Sequence, residues 1–151
     1  METFSVDLAQ NDTSLAELED YIRNTARQYV SASERAKTLL AEVGKETANK
    51  LAAGTPGYVY LKQLGHKPLA TEDIERIITA LGTDEEKAVV AEFPAAQRTL
   101  NDRLKGNPVI GLILKQAKIS YDQYYQRQSL PERWTPSQMI AIIDVLERLR
   151  V

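Results

Sequence analysis

Thr135-Pro136-Ser137-Gln138-Met139-Ile140-Ala141-Ile142-Ile143 is the stretch that decides the fold class. A threonine hydroxyl accepts from the free amides of a helix's first turn. Proline's fixed φ suits the first helical position, and a glutamine three residues after the threonine returns the bond. The apolar run that follows lacks the alternation of a half-buried strand. The same punctuation recurs along the chain: Ser120…Gln123, Thr83…Glu86 and Ser14…Glu17 repeat the pairing, and Asn107-Pro108 opens another helix. Gly54, Gly65, Gly82 and Gly106 read as stops, because glycine readily takes the left-handed conformation beyond a last turn. The pattern predicts an all-α fold of six or seven helices, with a long amphipathic N-terminal helix followed by a compact helical bundle.

The long helix is expected over residues 14–53. Leu15, Leu18, Ile22, Tyr29, Ala36, Leu39 and Val43 fall near seven-residue spacing, and Ala26, Ala32 and Leu40 widen the stripe. Unbroken, it would be roughly 60 Å long at about 1.5 Å per residue. Gly44 is the place for a break or a kink, since an interior glycine costs about 1 kcal/mol relative to alanine. Residues 1–13 are expected to form a flexible tail without the basic and apolar regions of a signal peptide. Gly54-Thr55-Pro56-Gly57 is expected as a linker, and residues 58–151 as the compact domain. Within it, Tyr58-Val59-Tyr60-Leu61 reads as helix in preference to strand, because no partner strand is in prospect. Helices follow over Thr71–Leu81, from Asp84 to Phe93 with Pro94 kinking it or opening a new one, then Pro108–Ile119, Ser120–Gln128 and Pro136–Arg150. The last is apolar over more than half its circumference, which places it at the centre of a core or against a partner.

A chain of 151 residues, 43% hydrophobic and 26% charged, suits one globular domain with a real core. It has no cysteine, which excludes disulfides, thiolate metal sites and cysteine nucleophiles. The longest apolar run, Pro108 to Leu114, is too short to span a bilayer, so no membrane partner is expected and the cytoplasm is the expected location. A net charge of −2 argues against nucleic-acid binding through global charge. The charge is uneven: Glu72 to Glu92 is mainly acidic and Arg98 to Arg133 mainly basic, an asymmetry able to orient a partner or a second copy.

Catalytic vocabulary is sparse. His66, the single histidine, sits in the loop Gly65-His66-Lys67-Pro68 with no spacing that supplies an orienting partner. No histidine pair, Glu-x-x-His or alternating acidic loop points to a metal, and no glycine-rich loop points to a phosphate cofactor. The acidic run Asp84-Glu85-Glu86 suits a helix's first turn, where carboxylates meet the favourable end of the dipole. The chain therefore reads as a non-enzymatic protein with no metal or cofactor.

The unusual concentration is aromatic. Tyr121, Tyr124 and Tyr125 share one side of a helix, with Arg127, Arg133 and Trp134 close behind. Aromatic and arginine side chains are the usual anchors of protein interfaces. Tyr121, Tyr124, Arg127, Arg133 and Trp134 are accordingly expected to contact a partner, as part of a homo-oligomeric adaptor or assembly factor that binds another protein. The alternative is a nucleic-acid-binding regulator using Arg98, Arg103, Lys105, Lys115, Lys118, Arg127 and Arg133. An enzyme without a recognisable motif is the third class.

Residues 112–120 and 135–143 resemble the opening and closing helices of a helix-turn-helix repressor domain. Between them, Tyr125 stands where the tight turn needs a small residue. Ser129 to Pro136, with its two prolines, stands where the recognition helix would have to form.

Overall fold

The computed structural model describes the backbone of residues 4–150 and the side chains of residues 14–150. Its elements are α1 (Phe4–Glu42), α2 (Lys45–Leu51), α3 (Pro56–Gln63), α4 (Thr71–Leu81), α5 (Asp84–Leu104), α6 (Ile110–Ala117), α7 (Tyr121–Ser129), a single 3-10 turn (Pro131–Arg133) and α8 (Pro136–Leu149). The all-α class holds, with eight α-helices and no strand among the described residues. The tail expected over residues 1–13 falls on side chains outside the described range, and α1 is bounded at Phe4.

Two compact units divide the chain, Met1–Arg27 with Phe93–Val151 as the first and Gln28–Glu92 as the second. The divisions fall inside α1 and α5, so residues 54–57, read from sequence as a linker between the long helix and the compact domain, lie within the second unit. The buried positions explain this. Ile22 and Ala26 of α1 are fully buried in the first unit, and Ala32, Ala36 and Leu40 continue the stripe in the second. The alanines expected only to widen the stripe form its centre.

In the second unit the long helix breaks at Gly44, one of the two outcomes the sequence allows there. Gly44 is extended (φ −69°, ψ 166°) and starts α2, its carbonyl accepting from Ala48 N at 2.9 Å. The Gln63 amide donates to the carbonyls of Leu40 and Val43, both at 3.0 Å, and so satisfies acceptors freed where α1 stops. Thr55 caps α3 and Pro56 occupies its first turn, which shortens the expected linker and settles residues 58–61 as helix. Helix α2 packs on α3 and α4. Gly82 ends α4 at φ −78°, outside the left-handed region. It serves there through its lack of a Cβ, which would sit 2.8 Å from the Ile78 carbonyl oxygen.

Asp73 braces this unit. The carboxylate is fully buried and accepts from Ala53 N and Ala70 N, both at 2.9 Å, and from Lys62 Nζ at 2.5 Å. Lys62 also donates to the Ala53 carbonyl at 3.0 Å and lies 5.1 Å over the Tyr58 ring. Burial by itself would raise the Asp73 pKa. The ammonium and the two amides outweigh it and hold the carboxyl below its ordinary value.

In the first unit α5 runs through Pro94 as one helix, and α6 packs on α7 and α8. Gln97 and Asn101, one turn apart on α5, hold the connection from α7 to α8. The Gln97 amide donates to the carbonyls of Glu132 (3.1 Å) and Trp134 (2.8 Å). Asn101 Oδ1 accepts from Gln128 Nε2 (2.7 Å) and Trp134 Nε1 (3.1 Å), and its amide donates to the Gln128 carbonyl (3.2 Å). The segment 130–135 between the two helices is thereby fixed as a 3-10 turn followed by extended Trp134 and Thr135, and no recognition helix forms there.

Candidate interaction surface

Helix α7 owes its start to a local sequence device. Lys118 closes α6 in the left-handed conformation (φ 62°), and Ser120 then caps α7, its hydroxyl accepting from Gln123 N at 3.1 Å while Gln123 Oε1 accepts from Ser120 N. That turn fixes the direction of the tyrosines. Tyr124 points inward and is 7% exposed, whereas Tyr121 and Tyr125 are 49% and 61% exposed. The two exposed rings stack, with centroids 6.1 Å apart and planes 29° apart, and Tyr125 also tilts against Tyr124 at 5.4 Å. Burial, and secondarily the neighbouring Tyr125, raises the Tyr124 pKa.

A close approach extends the tyrosine pair onto α6. A Cβ on Gly111 would lie 2.5 Å from the Tyr121 hydroxyl, so the phenol rests over a position that only glycine leaves clear. Val109 and Leu112 flank that glycine and are 47% and 45% exposed. Lys115 follows Leu112 by one helical turn and is exposed, as is Lys118. Tyr121 and Tyr125 thus form a stacked pair whose Tyr121 hydroxyl rests on Gly111, and Val109, Leu112, Lys115 and Lys118 are exposed in the same stretch of chain as that glycine.

The residues expected to contact a partner separate into two groups. Tyr121 and Arg133 are exposed, but Trp134 is 1% exposed and belongs to the core, where Asn101 holds its indole N–H. Arg127 is half-buried. Its guanidinium lies 5.7 Å from the Trp134 ring and donates to Gln138 Oε1 (3.0 Å) and the Gln123 carbonyl (3.3 Å). Burial and the charge of Arg133 depress its pKa. Tyr124, Arg127 and Trp134 therefore build the inner side of this region, and Tyr125, absent from the sequence-based set, is its most exposed aromatic.

The basic set is similarly divided. Arg98, Lys105, Lys115, Lys118 and Arg133 are exposed, while Arg103 reaches 3.4 Å from the buried carboxylate of Glu19. Glu19, 1% exposed, also pairs with Arg150. Nearby, Arg23 bonds Asp20 (3.3 Å), Asp144 (3.0 Å) and Glu147 (2.5 Å). Burial would lower the Arg23 pKa, but the carboxylates of Glu147 and Asp144 overcome this and raise it. A cavity of about 280 Å³ beside Glu19 and Arg150 is lined by members of this network. Each carboxylate there meets a guanidinium, so the arrangement ties α1 to α5 and α8. His66 is exposed in the turn after α3, and no metal-binding group of histidine or carboxylate side chains occurs among the described residues.

These polar clusters escaped the sequence reading because their partners are distant in the chain. One signal was available: Gln97 and Asn101 interrupt the apolar stripe Phe93, Ala96, Leu100 and Leu104 at helical spacing. Comparison with protein-family models, curated proteins and solved structures finds no match.

Proposed function

We propose that this chain is a non-enzymatic helical interaction protein, self-associating and binding a further protein through the α6–α7 patch. The exposed aromatic patch around Gly111 carries this reading. Tyr121 and Tyr125 stack on the outer side of α7, the Tyr121 hydroxyl lies over Gly111 of α6, and Val109 and Leu112 near that glycine in the chain are exposed. The stability of the unit rests on other residues of the same segment, Tyr124 and Trp134. Exposed aromatic surface suits association, and tyrosine contributes binding area at low conformational cost. Light scattering across a concentration series tests the proposal. A mass above that of one chain at tens of micromolar, reduced by Tyr121→Ser/Tyr125→Ser, is the expected result. A constant single-chain mass would remove self-association.

The lysines beside the tyrosines favour one second reading, single-stranded nucleic acid with bases stacked on Tyr121 and Tyr125 and phosphates met by Lys115 and Lys118. Binding of that kind weakens steeply with salt. An oligonucleotide shift at low salt that disappears as salt rises supports it, and no shift at low salt disposes of it.

A further inference from the structure

The second unit carries a groove of about 440 Å³ between α1 and α5, lined by Ser31, Ala32, Glu85, Glu86, Ala88 and Val89 among others. Ala32, Ala88 and Val89 supply its small apolar side chains, with the polar Gln28 and Ser31 beside them. Its rim is acidic, since Asp84, Glu85 and Glu86 form the first turn of α5. Glu86 is engaged locally, accepting from Thr83 N at 2.8 Å and lying 3.6 Å from Arg35, while Asp84 and Glu85 are exposed. The first unit carries the opposite combination: Tyr121 and Tyr125 project from a patch flanked by Lys115 and Lys118.

We propose that the α6–α7 patch of one copy docks into the α1–α5 groove of another, so that copies associate head to tail. This rests on the reading of the chain as self-associating and names the partner surface. Charge complementarity selects the arrangement. A twofold contact of patch on patch would bring together two surfaces that both carry Lys115 and Lys118, and groove on groove two that both carry Asp84 and Glu85. Such juxtapositions are unfavourable. Patch in groove sets lysines against carboxylates and tyrosine rings against Ala32, Ala88 and Val89. Charges of opposite sign also occur on these elements: Asp122 on α7, Lys87 on α5, and Arg35 on α1, which pairs with Glu86 at 3.6 Å. A heterologous contact leaves one patch and one groove vacant on a dimer, so growth continues unless the ring closes.

The test uses two variants in the full chain. Ala88→Arg fills the groove with a bulky cation at an exposed helical position, and Lys115→Glu/Tyr125→Ser removes the patch. Each alone should sediment as a single chain, with association at least about tenfold weaker than wild type, a change equivalent to roughly 1.4 kcal/mol. Mixed one to one, the two should form a dimer and nothing larger, because one intact patch meets one intact groove. If Ala88→Arg loses its helical circular dichroism, Glu85→Lys replaces it. Wild type that associates while either variant associates equally well overturns the head-to-tail contact and leaves self-association standing. A mixture that stays monomeric also overturns it. Wild type that is monomeric overturns both readings.

Discussion

The two sides of α7 are built from the same residue types and do different work. Tyr124 on the inner side is buried, and Trp134 beyond the helix is buried with it, its indole N–H held by Asn101. Tyr121 and Tyr125 on the outer side are 49% and 61% exposed and stack on each other; Tyr125 also tilts against Tyr124, and the Tyr121 hydroxyl rests on the glycine-cleared surface of α6. The difference comes from phase, not composition. Positions i, i+3 and i+4 span an arc of roughly 100° at 3.6 residues per turn, wide enough to straddle the boundary between core and solvent. An aromatic cluster is thus divisible, and only its outer part is available for binding.

Substitution at the inner side should produce the largest effect on folding. Trp134→Ala removes a fully buried ring and should cost about 3–5 kcal/mol, read by urea denaturation. Association measured on the remaining folded protein should be unchanged. Weakened association without loss of stability would place Trp134 on the binding surface after all.

The same contrast can be drawn with a charged group. Asp73→Ala leaves the Lys62 ammonium buried without its carboxylate, and breaking such a pair costs about 3–5 kcal/mol. In the unaltered chain the folded-state pKa of Asp73 lies below its ordinary value of 3.8. Its contribution is therefore fully present above that value and is lost as pH falls through the lowered folded-state pKa. Acid titration of stability should show a component below pH 4 that Asp73→Asn abolishes. An unchanged acid profile would mean that the carboxylate is not held in this way.

Gly111→Ala separates the two sides more finely. Alanine is the better helix former by about 1 kcal/mol, and the atom its Cβ meets is the far end of the Tyr121 side chain. Stability should hold or rise slightly while the Tyr121 ring is displaced and association weakens. A drop in melting temperature of several degrees would show that the Tyr121 contact belongs to the core.

What was legible from the sequence follows the range of the interaction. The caps at Thr55, Thr83, Ser120 and Thr135 bond within three residues, and Ser120, Thr83 and Thr135 were evident as hydroxyls paired with Glu or Gln. The break at Gly44 was visible as a weak point, but its completion depends on Gln63, about twenty residues away. Asn101 with Trp134, 33 positions apart, and Glu19 with Arg103, 84 apart, could not be paired from periodicity. For the same reason the division of the tyrosine cluster stayed hidden, since helical spacing fixes which residues share a side but not where solvent begins. The boundary between units, set within α1 and α5, has no local marker at Arg27 and Gln28.

Under the proposed function the outer tyrosines serve association and the inner aromatic residues serve folding. Sedimentation equilibrium of Tyr121→Ser/Tyr125→Ser against wild type, with melting curves on the same samples, tests it most directly. The account predicts that self-association is lost while the melting temperature shifts by no more than a few degrees, as for surface substitutions generally. Wild-type association retained in the double variant, or a variant that unfolds, would contradict it.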